Sequence, residues 1–328
     1  MSQLKTVSLK LRSPAKKNYK SSISILNLIF CLGTISLSLF IIHPDKIKTF
    51  LGRESTKLHI DKTTTDKLEV TNLDFLQEIS ASSGLSEQAK ITVCSLKGDC
   101  RNLHGEEQPR SVASLMKVPI AVALMYKVTT ENISLDTLIY LDPENFTEDN
   151  SSLDVEQNYS LRQLLSEMII NSSNIAPNQL IDYLSRNYIN QVLQQEGYRI
   201  TRVNSKFIGD YTIPFDMGEI KNNATTDELT AMMMEIYNRH DSGDKILTEI
   251  LAQQHDRELG FAALQGTKAR WLGEKTGQNS EVLGTTLAMQ ISGEVYIVTL
   301  IDDGEYSEIS IRDSITQIAN YITRKGHL

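Results

Sequence analysis

Ser114 and Lys117 stand three positions apart at the head of the apolar run 118–126, where one turn of helix brings hydroxyl and amine to the same face. Such a pair is a nucleophile beside a base, the chemistry of attack on an amide or lactam carbonyl. The Ser-x-x-Lys pattern recurs at Ser2, Ser13 and Ser242. The pair therefore gains meaning only from what the rest of the chain brings to it.

Two other polar stretches suit the same chemistry. Ser172 and Asn174 lie in a short polar break between apolar helices, and Glu274-Lys275-Thr276-Gly277-Gln278 sets a cation, a hydroxyl and a glycine in a strand. Lys117 can take the Ser114 proton only if desolvation and a cationic neighbour, for which Lys275 is available, depress its pKa. Ser172 is placed to relay a proton to a leaving nitrogen, and Asn174 to hydrogen-bond a substrate amide. Lys275 and Thr276 suit a substrate carboxylate, and Gly277 lets the strand approach closely. The backbone N–H groups of Ser114 and Gln278 would form an oxyanion hole, one donor of which is typically worth about 2.7 to 4 kcal/mol. Plainer readings exist for each: Ser114 as an N-cap, Lys117 and Lys275 as solvated charges, Ser172 and Asn174 as caps, Thr276-Gly277 as a strand exit.

Taken in order, Ser-x-x-Lys, Ser-x-Asn and Lys-Thr-Gly resemble the penicillin-recognising serine enzymes, and more narrowly the class A β-lactamase family, at similar separations. Gly197-Tyr198-Arg199-Ile200-Thr201-Arg202-Val203 resembles that family's stretch before its omega loop, and Ala224-Thr225-Thr226 with Ala231-Met232 resembles the approach to the following helix. The resemblance runs from about Asn72 to the C-terminus. It implies an α+β fold of β-lactamase/transpeptidase type: a five-stranded antiparallel sheet flanked by helices, with an all-helical subdomain. It also implies a serine hydrolase with no cofactor and no metal, with Ser114, Lys117 and Ser172 catalytic and Asn174, Lys275, Thr276, Gly277 and Gln278 binding substrate.

The chain departs from the family at three places. Class A enzymes clear the acyl group with an omega-loop glutamate. An ungapped count from Thr201-Arg202-Val203 puts Phe207 there, with Ile208 beside it, and neither is a base. Gapped counts reach Asp216 or Glu219. Glu219 with Asn223 resembles the family's Glu and Asn pair, which makes Glu219 the catalytic candidate. Ser173 stands where the family has a structural Asp, and no Lys or Arg occurs from 282 to 301 to serve as a carboxylate-binding arginine on the neighbouring strand. Acylation is expected, followed by slow deacylation.

The elements that must position these groups follow from periodicity. Helical spacing is seen in Leu73, Phe75, Leu76 and Ile79, then at 161–170, 178–188, 189–196, 226–238 and 309–322. In the helix at 226–238, three consecutive Met read as core filler. Alternation marks a strand at 91–96, and 270–277, 283–291 and 294–301 are three strand-like runs joined by short Gly-containing turns as an antiparallel meander. An acidic loop covers 142–154.

With 328 residues, 40% hydrophobic and 23% charged, the composition is that of a globular enzyme, and a net charge of −8 argues against nucleic acid as a partner. Six Lys and Arg and no acid lie in residues 1–20, so the body is more acidic still. The uncharged run 22–42 has the length, about 20 residues, that a membrane-crossing helix needs. It reads as a signal anchor, or alternatively a cleaved signal peptide, with the basic residues 1–21 cytoplasmic and the body exported. Residues 43–70 read as a linker and 71–328 as the catalytic domain. Cys94 and Cys100 flank a hairpin turn and form a bond if the body is exported, or are two unrelated thiols. The expected protein is a membrane-anchored, extracytoplasmic, monomeric hydrolase whose partner is a β-lactam or a peptidoglycan peptide. The alternatives are a penicillin-binding D,D-peptidase and a non-enzymatic β-lactam or muropeptide sensor.

Overall fold

Strands that alternate apolar residues on both faces need a cover on each side, and the chain supplies helices for both. The structure, a computed structural model, describes residues 73–149, 151–238 and 242–328. The expected cytoplasmic segment, membrane anchor and linker lie outside the described residues. Among the described residues no helix is long and apolar enough to cross a membrane.

The chain opens with α1 (Leu73–Ser83), β1 (Lys90–Ser95) and β2 (Cys100–Leu103). A 3₁₀ turn, Ala113–Met116, runs into α2 (Lys117–Thr130). A short ribbon, β3 (Leu138–Tyr140) with β4 (Asn158–Ser160), leads to α3 (Leu161–Ile170), α4 (Ile175–Leu184) and α5 (Arg186–Gln195). After the omega-loop region come α6 (Thr226–Asn238), α7 (Ser242–Leu251) and the short α8 (Gly260–Leu264). The meander β5 (Arg270–Asn279), β6 (Val282–Ile291) and β7 (Glu294–Asp302) follows, and α9 (Glu308–Lys325) ends the fold.

The five-stranded sheet has the order β2-β1-β7-β6-β5, every neighbouring pair antiparallel, with β5 at an edge. Its two faces are read off by alternation. In β7, Ile297 and Ile301 pack with the helices of the middle of the chain, whereas Tyr296, Val298 and Leu300 pack with α1, α8 and α9. The fold class expected from sequence, α+β with this sheet, is the one observed. Cys94 and Cys100 pair across β1 and β2 and are bonded. The helix α2 is buried on most of its surface, with Pro119 in its first turn where a missing N–H costs little. Met232, Met233 and Met234 are all core residues.

Several boundaries differ from expectation. The helix expected at 178–188 starts at Ile175, because Pro177 is tolerated in a first turn, and it ends at Leu184. The break falls at Ser185, whose φ is +67° and whose Oγ accepts from the Tyr188 N–H to cap α5. The subdomain is not all-helical. The β3–β4 ribbon interrupts it, and with Leu138 and Tyr140 exposed it carried no burial alternation to announce it.

Candidate active site

The Ser114 turn is tightly wound. Ala113 takes φ +43°, which a residue with a Cβ adopts only at some cost. The 3₁₀ spacing that follows eclipses positions three apart, so Ser114 and Lys117 share a face. Ser114 is half-buried, and its side chain caps no helix. Instead its Oγ lies 2.9 Å from Lys117 Nζ.

Lys117 is 0% exposed. Its Nζ also lies 2.6 Å from Ser172 O, 3.2 Å from Ser172 Oγ and 3.0 Å from Asn174 Oδ1. Four oxygens crowd a nitrogen with three hydrogen-bonding positions, which donates to Ser114 Oγ, the Ser172 carbonyl and Asn174 Oδ1; once neutral, its lone pair can take the Ser114 hydroxyl proton instead. Burial first, and then the charge of Lys275, push the Lys117 amine well below its usual 10.5, while Asp149 opposes them.

Ser172 bridges the two lysines, since Lys275 Nζ donates to its Oγ at 3.1 Å. Its φ of +56° is again left-handed. Lys275 is likewise fully buried and donates to Thr276 O at 2.7 Å. Its amine is pushed down to about 8, by burial against the charges of Asp256 and Glu274. Thr276 Oγ1 donates to Asp256 Oδ2 at 2.6 Å and accepts from Gln254 Nε2 at 3.0 Å. Gly277 brings the edge strand against the nucleophile: a Cβ there would lie 2.9 Å from Leu115 N and 3.1 Å from Ser114 N. Gln278 follows, exposed.

Eight of the nine expected residues thus fall on the Ser114 turn, the α3–α4 break and β5, which converge. The ninth, Glu219, does not join them. It is exposed, with no hydrogen bond or ion pair to Ser114, Lys117 or Ser172. Its expected companion Asn223 is committed to Ile200 O and to Asn204. Phe207 occupies the neighbourhood instead, its ring centroid 5.1 Å from Lys117 Nζ. Asn178 fixes that residue at both ends, accepting from Phe207 N at 2.7 Å and donating to Phe207 O at 2.9 Å.

Sequence reasoning missed four supports. Asp149 accepts from the Ser172–Asn174 turn, and Gln254 and Asp256 brace Thr276. The buried Glu274 accepts from Gly260 N at 2.9 Å and Phe261 N at 3.2 Å and so caps α8. Each acts on a segment remote in sequence, so no local pattern marked it.

A family profile described as the beta-lactamase enzyme family matches residues 74–325. The β-lactamase of Sphaerobacter thermophilus is similar in structure, with a TM-score of 0.65 at 19% identity over 76% of this chain and 97% of that one. PBP-A superposes with a TM-score of 0.67 at 21% identity over 78% and 98%. A mutant of PBP-A, solved as its acyl-enzyme complex with penicillin G, gives 0.65 at 21% over 76% and 96%. No curated protein sequence matches significantly.

Proposed function

The chain belongs to the beta-lactamase enzyme family, and from that premise we propose that it is an exported serine hydrolase that opens β-lactam rings through an acyl-enzyme on Ser114 and releases the acyl group slowly. The observation that carries this reading is the buried Lys117 amine 2.9 Å from Ser114 Oγ. In this reading Lys117 takes the hydroxyl proton as Ser114 Oγ attacks the lactam carbonyl. The backbone N–H groups of Ser114 and Gln278 hold the oxyanion. As the C–N bond breaks, Ser172 passes a proton to the nitrogen and is resupplied from the lysine it touches. Asn174 holds the substrate amide, and Lys275 with Thr276 its carboxylate.

Slow release follows from Phe207. A phenyl ring beside Lys117 cannot accept a proton from water, and Glu219 makes no contact with the cluster, so no step is routed through it. Phe207 equally favours a second reading, a penicillin-binding D,D-peptidase whose natural donor is a peptidoglycan peptide. The Cys94–Cys100 bond supports an extracytoplasmic location. Residues 22–42 would then anchor the chain, with residues 1–21 cytoplasmic, 43–70 a linker and 71–328 catalytic. The test is a pulse of fluorescent penicillin on the full chain, followed by a chase with unlabelled drug. Label that accumulates stoichiometrically and fades slowly is expected. Rapid hydrolysis of a chromogenic lactam with no label at any time would contradict slow release.

A further inference from the structure

The break between α3 and α4 has an unusual demand placed on it. It must hold Ser172 at φ +56° and present that residue's carbonyl and hydroxyl, together with the Asn174 side chain, to one amine. The residue inside the break, Ser173, has no charge to organise it. The carboxylate comes from the loop between β3 and β4. One oxygen of Asp149 accepts from Ser173 Oγ at 2.7 Å, Asn174 N at 2.6 Å and Ile175 N at 3.0 Å, while the other accepts from Ser151 N at 2.9 Å. The same loop grips the omega-loop region. Glu148 accepts from Tyr211 N at 3.0 Å and Thr212 N at 2.8 Å, and Thr147 Oγ1 donates to Thr212 O at 2.8 Å.

We propose that Asp149 is the positioning residue of the catalytic turn, holding Ser172 and Asn174 on Lys117; this rests on the reading of Ser114 as the acylated nucleophile. A plain cap on α4 would stabilise the helix by about 1 kcal/mol and leave the chemistry alone. Here the capped N–H groups belong to the very turn that furnishes three of the four oxygens around Lys117 Nζ. The charges and rings facing Lys117 are Lys275 from β5, Asp149 from the loop and the Phe207 ring from the omega-loop region. Glu167 on α3 is turned away, towards Asn171 and Ser152. Burial pushes the Asp149 carboxyl up, but hydrogen bonds from Ser151, Ile175 and Ser173 outweigh it and hold the group below the usual carboxylate range. Asp149 is thus held in its charged form, and that charge opposes the depression of the amine by burial and Lys275.

The test is the second-order rate of fluorescent penicillin labelling of the full chain as a function of pH. Asp149→Ala, which loses acceptor and charge, is expected to label about 10- to 100-fold more slowly, as displaced catalytic groups do. Asp149→Asn keeps an acceptor and loses only the charge. Its rate falls less, and its acidic limb moves to lower pH by about one unit, because the Lys117 amine then deprotonates more easily. Asp142→Asn, at the cap of the 3₁₀ turn Pro143–Asn145 and without a hydrogen bond to the Ser172–Asn174 turn, labels like the wild type. If Asp149→Ala fails to fold, Ser173→Ala, which removes one donor from the carboxylate, is expected to slow labelling several-fold. Wild-type rates in Asp149→Ala or Ser173→Ala, or slowing with no displacement of the limb in Asp149→Asn, overturn the proposal. A wild type that takes no label overturns the acyl-serine reading and this inference together, an outcome distinct from the other two.

Discussion

At the scale of residues, Lys117 and Phe207 set the character of the site. The amine is buried, crowded by four oxygens and faced by Lys275, which are the conditions that turn a lysine into a base. The ring beside it offers nothing to a water. Replacing Phe207 by Glu would put a carboxylate on a backbone that Asn178 already holds at both ends. Release of penicillin label is expected to accelerate by about 100-fold, the lower end of the range that a positioned base contributes. Unchanged persistence, measured by pulse and chase, would show that the base does not set the rate. These residues were legible in the sequence in proportion to how much chemistry they carry themselves. Ser114, Lys117, Ser172, Asn174 and the Lys275–Gln278 strand stood out by type and spacing, and the fold brings them together. Asp149 gave no signal, because a carboxylate that serves a turn beyond β4 and α3 looks like one more acid in an acidic loop. Glu219 was the opposite case, a residue of suitable type that the chain path leaves in solvent, while the contacts of Asn178 hold Phe207 beside Lys117.

At the scale of elements, the site depends on an edge strand pressed against a 3₁₀ turn. Only a residue without a Cβ permits the approach of Gly277 to Ser114 N and Leu115 N. Both neighbours are backbone atoms and cannot swing aside. Gly277→Ala is expected to slow labelling of Ser114 by about 10- to 100-fold, since displacing a reacting group by about 1 Å costs that much. A rate equal to the wild type would mean that the strand relaxes freely. The strands themselves were plain in the sequence, because β5, β6 and β7 are runs of nine or ten residues joined by short turns. The helix break at Ser185 was misplaced, since only one capping hydroxyl and one left-handed φ mark it. The five residues of α8 were not foreseen at all; their N-terminus is held by Glu274 from the sheet rather than by a local cap.

At the scale of the molecule, the sheet is covered on both faces, and its interior carries ionisable groups at a cost. Glu274 and Lys275 are adjacent on β5 and both fully buried. Burial raises the Glu274 carboxyl from its ordinary 4.5 to about 7, against hydrogen bonds from Phe261, Thr285 and Gly260. The folded chain thus keeps a proton that the unfolded chain releases. The corresponding stability is fully present below about pH 4.5 and is lost as pH rises through about 7. Lys275 runs the other way, its contribution present above about pH 10.5 and lost as pH falls through about 8. Glu274→Gln is expected to flatten the pH dependence of stability between about 4.5 and 7, removing up to about 3 kcal/mol of decline. Denaturant titrations at several pH values check it, and parallel slopes in the two proteins would contradict it. None of this was legible beforehand, since a Glu beside a Lys on an edge strand reads as a solvated pair until the helices that cover it are in place. The claim on which the whole account rests is that Ser114 is acylated. Intact-mass spectrometry of the full chain after exposure to a penicillin, with peptide mapping, tests it most directly. A mass gain equal to the entire drug is expected, carried on the peptide containing Ser114 and absent from Ser114→Ala. No adduct on the wild-type chain, or the same adduct on Ser114→Ala, would contradict it.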